Sequence, residues 1–163
     1  MTRATRAVPE GYHSVTPQLT LDDAAKAIDW YKRALGAEEL GRMEGPDGKI
    51  AHAVLRIGDS RIMLNDEMGG GKSARTLGGS PVSMYVYVDD ADAVFNRAVA
   101  AGGKVSGAMG QMADQFWGDR AGTITDPHGL TWWIASHKED LTPQEMERRA
   151  ADAMKQAPQP AHR

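Results

Sequence analysis

The sequence contains no cysteine, which removes disulfides, thiolate metal sites and thiol nucleophiles together. No apolar run approaches the roughly 20 residues that a membrane-crossing helix requires, so no membrane partner is expected. Positive charge is not in excess either. Charged residues make up 25% of the chain and the net charge is −3, so neither nucleic acid nor an anionic surface is an expected partner. This mild acidity favours a neutral or cationic small ligand. Met1 to Pro9 carries Arg3 and Arg6 with no apolar stretch behind them; a secretory signal is not expected, and cytoplasmic residence is. At 163 residues the chain has room for one domain, or for two small modules sharing a core.

What is present is a pattern stated twice. Asp126-Pro127-His128-Gly129 is a turn, because proline presets one dihedral, aspartate can bond its own backbone and glycine accepts a positive φ. Strands must flank it, one through Gly122 to Thr125 and one through Leu130 to Ile134. Ala53 to Ile57, a Gly58-Asp59-Ser60 turn and Arg61 to Leu64 have the same form. Upstream of each hairpin lies a strand, a pair of aspartates and a helix ended by glycine. In the first half these are Val15 to Leu21, Asp22-Asp23, a helix with Ala24, Ile28, Tyr31 and Leu35 on one face, and Gly36. In the second they are Val82 to Val88, Asp89-Asp90, a helix with Ala91, Val94, Phe95, Ala98 and Ala101 on one face, and Gly102-Gly103. The aspartate pairs stand 67 residues apart and Ile62 stands 70 before Trp132. Such a nearly constant offset implies duplication.

The division that follows is a flexible arm over 1–11, a first module over 12–67, a glycine-rich linker over 68–81, a second module over 82–140, and a C-terminal helix and tail over 141–163. Glu38 to Leu40 reads as a link, and Gly45-Pro46-Asp47-Gly48 as a turn. Gly71-Lys72-Ser73 invites comparison with a phosphate loop, but the required upstream glycine is Asp66 and no helical pattern follows Ser73. Thr142-Pro143-Gln144-Glu145 is a capping box opening a helix to about Met154, with Ala157 to Arg163 expected to be disordered.

Two tandem βαβββ modules with Tyr31-Lys32-Arg33-Ala34-Leu35-Gly36-Ala37, Trp117-Gly118-Asp119-Arg120, Asp126-Pro127-His128-Gly129 and His137-Lys138-Glu139-Asp140-Leu141 resemble the vicinal oxygen chelate superfamily, the glyoxalase and bleomycin-resistance fold, and its PhnB-like branch. The resemblance covers Tyr12 to Asp140. It implies an α+β fold in which a curved, partly closed mixed sheet surrounds a ligand cavity, followed by the C-terminal helix, in a homodimer. Metal-dependent members carry His, Gln or Glu at four positions, because a divalent ion in an open site needs such donors while leaving room for substrate oxygens. Carried over by register, those positions are Thr16, Met63, Ser83 and Trp133, and none is an ordinary donor. Because Pro17 pins the first strand loosely, a shift by two would bring in Gln18.

The reading that follows is a small-molecule binding protein of the bleomycin-resistance type, with no metal and no cofactor, taking an aromatic or cationic ligand and sequestering an antibiotic or toxic compound. Its candidate ligand-binding residues are Gln18, His52, Arg56, Met63, Ser83, Tyr85, Tyr87, Trp117, Arg120 and Trp133. Tyr85, Tyr87 and Ser83 share a strand face, and Trp133 is expected to join them, forming an aromatic wall suited to stacking and cation–π contacts. His52 and Arg56 share a face by the period of two; the competing reading makes His52 a bonded sheet residue and Arg56 a solvent-facing partner of Asp or Glu. Arg120 either meets ligand or pairs with Asp119 or Asp126. His13 and His128 read as surface residues, and Trp30 and Tyr31 as core or interface. An alternative is a metal-dependent lyase, isomerase or dioxygenase using His52, Gln18 or Glu67 as unusual donors; another is an interaction module docking through its last helix.

Overall fold

A computed structural model describes residues 5–156; the ends of the expected arm (1–4) and tail (157–163) lie outside the described residues. The first module runs β1 (Gln18–Leu21), α1 (Ala24–Leu35), β2 (Glu38–Glu44), β3 (Ile50–Ile57) and β4 (Ser60–Asp66). After α2 (Ala74–Leu77), the second runs β5 (Ser83–Tyr87), α3 (Ala91–Ala100), β6 (Lys104–Val105), β7 (Ala113–Asp114), β8 (Asp119–Thr125) and β9 (Thr131–His137), and α4 (Pro143–Gln156) closes the described chain. The strands form two mixed sheets in the orders β1-β4-β3-β2 and β5-β9-β8-β6, with β7 also on β8. In each, the first strand lies parallel to the last and the remaining pairs are antiparallel. The duplication read from the sequence is therefore a duplication of topology.

Local signals act as their chemistry dictates. Asp23 and Asp90 cap α1 and α3 by accepting the N–H groups of Lys26 and Ala93, and Gly36 ends α1 in the left-handed region. Thr142 and Glu145 bond reciprocally at the start of α4. Three expectations need correction. The opening strand begins at Gln18 rather than Val15, because Pro17 has no N–H to give the ladder; its carbonyl still accepts from Met63 N–H. Glu38 to Leu40 is the start of strand β2, an edge strand whose charged, glycine-containing sequence hides its β character. The linker holds a helical turn, α2, capped by the fully buried Ser73. Ser73 N–H donates to the Glu67 carboxylate at 2.7 Å, and bonds from Ser73 and Thr76 draw the Glu67 pKa down to about 2.

One core spans both modules. Trp30 and Tyr31, both buried, reach from α1 into the second module: Trp30 Nε1 donates to Ala101 O at 3.0 Å and Tyr31 OH to Asp126 Oδ2 at 2.9 Å. Arg97 on α3 returns a bond to Ala34 O. With both helices and the alternate strand residues Leu21, Leu55, Ile62, Leu64, Trp132 and Ile134 turned to this core, the opposite face of each sheet is left for other contacts. No helix among the described residues is long and apolar enough to cross a membrane.

Candidate functional site

The period of two that sends Met84, Val86, Trp132 and Ile134 towards the core sends Ser83, Tyr85, Tyr87 and Trp133 the other way. Register makes neighbours of Tyr85 and Trp133. Their rings stack at 5.7 Å with planes 11° apart, Tyr87 lies 5.0 Å from Tyr85, and Trp117 meets the edge of Trp133 at 6.1 Å. Four rings thus form one wall on the open face of the second sheet. It borders two cavities: one of about 600 Å³ runs along the edge of β5, where Tyr85 and Tyr87 meet the core-side Met84, Val86 and Trp132 together with Thr16 and Arg61, and one of about 520 Å³ holds Ser83, Thr131 and Trp133.

Behind the wall sits Asp119, which is 3% exposed. Its Oδ2 accepts from Tyr85 OH at 2.9 Å, Tyr87 OH at 3.0 Å and Trp117 Nε1 at 3.0 Å. Its Oδ1 faces His137 Nδ1 at 2.8 Å, and His137 Nε2 faces Asp140 at 3.0 Å. Burial pushes the Asp119 pKa up, but the bonds from His137, Tyr85, Tyr87 and Trp117 outweigh it and hold the carboxyl below its ordinary value. His137 is raised above its ordinary value, first by Asp119 and then by Asp140. Burial and then the bonds to Asp119 raise both tyrosines. Asp119 and His137 are the organising residues that reading the sequence missed as site residues. A signal existed: counting outward along the hairpin from Thr125 opposite Thr131 brings Asp119 opposite His137.

The other candidates lie elsewhere. Gln18, His52, Arg56 and Met63 occupy the open face of the first sheet, where Gln18 Nε2 donates to Asn65 at 3.0 Å and Arg56 pairs with Glu38 across β2. Arg120 does not meet Asp119 or Asp126. Its guanidinium is held by Asp92 at 2.5 and 2.7 Å and by Asp114 at 3.2 Å, because alternation turns it towards α3 while Asp119 faces the open side. His128 is not a surface residue: it is 5% exposed and its Nδ1 lies 2.8 Å from Asp22, since the turn tip folds against the start of α1.

The pairing register also refines the four expected metal positions. Gln18 is opposite Met63 and Tyr85 is opposite Trp133, so the facing set is Gln18, Met63, Tyr85 and Trp133, two residues along from Thr16 and Ser83. Neither set offers imidazole or carboxylate. The Gln18 amide is engaged by Asn65, and Glu67 is turned to Ser73. Among the described residues no three His, Asp or Glu side chains are grouped to hold a metal ion. The residues present do not fit the metal of the superfamily's enzymes.

Residues 12–134 match the family described as the Glyoxalase/Bleomycin resistance protein/Dioxygenase superfamily. The chain belongs to this superfamily. One relative is an uncharacterized protein of Mycobacterium tuberculosis, 45% identical over 139 residues, covering 82% of this chain and 80% of that protein. Among solved structures of this superfamily's fold, TioX from Micromonospora sp. ML1 is 26% identical, with a TM-score of 0.60 over 80% of this chain and all of TioX (100%). The PhnB protein from Bacillus cereus is 17% identical, with a TM-score of 0.58 over 76% of this chain and 99% of that one. A bleomycin-binding protein complexed with bleomycin is 19% identical, with a TM-score of 0.55 over 77% of this chain and 99% of that one. The last two show likeness of fold.

Proposed function

We propose that this protein binds a small aromatic or cationic molecule without a metal or cofactor, in the manner of a bleomycin-resistance protein, and that the binding sequesters an antibiotic or toxic compound. The observation that carries the proposal is the four-ring wall of Tyr85, Tyr87, Trp117 and Trp133 on an open sheet face. A flat ligand gains about 0.5–1.5 kcal/mol from each such ring beyond the area it buries. A protein of the same fold that is complexed with bleomycin supports the reading. The absence of suitable donors at the facing positions argues against routing any chemistry through an ion.

Titrating the protein with bleomycin and a panel of planar aromatic compounds, including cations, is expected to quench the fluorescence of Trp117 and Trp133. Calorimetry on Trp133→Ala is then expected to show binding weakened about three- to tenfold, the equivalent of one lost stacking contact. No quenching by any compound at millimolar concentration overturns the proposal and favours an interaction module.

The proposal includes a homodimer. Tyr85, Tyr87 and Met43 are exposed at 42%, 60% and 60%, and each sheet keeps one face open, so a second copy can close over the wall with its first sheet. Light scattering is expected to give twice the chain mass at micromolar concentration. A monomer at every concentration tested would remove this part.

A further inference from the structure

The hydrogen bonds behind the aromatic wall restrict what it can recognise. A tyrosine hydroxyl has one hydrogen to give and two lone pairs to receive with, and an indole has one hydrogen only. Tyr85, Tyr87 and Trp117 all direct that hydrogen to Asp119 Oδ2. Neighbouring hydroxyls on the same face are also engaged as donors, Thr125 to Ser106 at 2.9 Å and Thr123 to Met109 O at 3.4 Å. What the two exposed tyrosines retain towards an incoming molecule is acceptor capacity, and their oxygens are polarised by the carboxylate they serve. Asp119 is buried behind the rings, so on this face its charge is felt through those phenols.

We propose that the ligand of this face is a flat organic cation bearing N–H donors, a protonated aromatic amine or a guanidine, whose donors rest on the Tyr85 and Tyr87 oxygens and whose ring lies against Trp133 and Trp117. The inference rests on the binding reading above and adds the polarity of the ligand. At Tyr85, Tyr87 and Trp117 an anionic ligand of the same shape meets spent donors and a fixed carboxylate, which disfavours it. The donors left beside the wall are the Ser83 and Thr131 hydroxyls and Arg61, which is tied to Glu10 O.

His137 sets the charge of the site. As an imidazolium it donates to both Asp119 and Asp140 and cancels the Asp119 charge; as it loses its proton the site becomes more negative. Affinity for a cation therefore rises with pH through the raised His137 pKa. The groups facing this pair are Tyr85 and Tyr87 from β5 and Asp140 beyond β9, which is fully exposed and screened. On the far side Lys138, Glu139, Arg120 and Arg149 share a cavity of about 410 Å³ with Asp119. There Arg149 is paired to Glu139, and Arg120 to Asp92 and Asp114.

The test uses the wild-type protein and three probes of one shape: naphthylmethylammonium, its trimethylammonium counterpart and naphthoate. Calorimetry is expected to rank them in that order, with the first binding at least about tenfold more tightly than the last, or about 1.4 kcal/mol. Raising the pH from about 5.5 to about 8.5 is expected to tighten the ammonium probe severalfold in wild type and not in His137→Gln, since histidine is the group that changes charge in that window. The same tightening is expected in His13→Gln, a variant of the histidine that lines the cavity beside Tyr85 and Tyr87. Tyr87→Phe, at the more exposed of the two phenols, is expected to narrow the gap between the ammonium and trimethylammonium probes. Naphthoate binding as tightly as naphthylmethylammonium overturns this inference and leaves the binding reading standing. Binding of none of the three overturns this inference, and the binding reading falls with it only if bleomycin and the wider aromatic panel also fail to quench.

Discussion

Asp126→Ala is expected to be strongly destabilising, lowering unfolding free energy by about 3–5 kcal/mol. Asp126 is 4% exposed and both of its oxygens are occupied. Oδ2 accepts from Tyr31 OH and Trp132 Nε1, each at 2.9 Å. Oδ1 accepts from the backbone N–H groups of His128 at 2.8 Å and Leu130 at 2.9 Å. Alanine would leave all four donors without this partner, where an unpaired buried group costs about 1–3 kcal/mol and partial relaxation recovers some of the total. The loss also has a structural address. Tyr31 belongs to α1 and Asp126 to the β8–β9 turn, so the bond ties the first module to the second. For a chain of this length the melting temperature is expected to fall by about 6–20 °C, at about 2–4 °C per kcal/mol. Urea unfolding of the variant checks it, and a loss below about 1 kcal/mol, within the range of an ordinary surface bond, would show that Asp126 is not what ties the two modules together.

Gly118→Ala is expected to cost about 2–4 kcal/mol and to disturb the aromatic wall at the same time. Gly118 has φ of +95°, and a Cβ built there lies 2.5 Å from the Glu139 carbonyl oxygen, a backbone atom that cannot swing aside. A left-handed conformation costs a non-glycine residue about 1–2 kcal/mol, and crowding a packed corner about 1–3 kcal/mol more. The Gly118 carbonyl also accepts from Lys138 and Glu139 N–H at 2.9 and 3.0 Å. Moving that corner shifts Trp117 and Asp119 on either side of it. A denaturation curve within about 0.5 kcal/mol of wild type, together with unchanged tryptophan emission, would show that the corner yields freely.

These residues show where the sequence was legible. The turn at Asp126 to Gly129 was readable because proline, aspartate and glycine each act through their own backbone, and the same holds for the aspartate caps of α1 and α3. The aromatic face of β5 was readable because a strand alternates every two residues, so Ser83, Tyr85 and Tyr87 share a side in any strand. Strand β2 was not readable. An edge strand is held by its neighbour's backbone and needs no apolar pattern of its own, so Glu38 to Glu44 resembles a solvated link. Nor was the α2 turn, whose four residues depend on Ser73 being buried against Glu67.

The sequence by itself determined the duplicated α+β plan, the helix faces and the aromatic character of one sheet face, because local periodicity and turn chemistry act within a few residues and need no partner. Tertiary structure alone decided the rest. It drew Tyr85, Tyr87, Trp117 and His137 onto one buried carboxylate, committed Arg120 to Asp92 and Asp114, buried His128 against Asp22 and aligned Gln18 with Met63. Each of those joins segments distant in sequence, where the choice among partners is made by strand register and by the high cost of leaving a buried charge or donor unmatched.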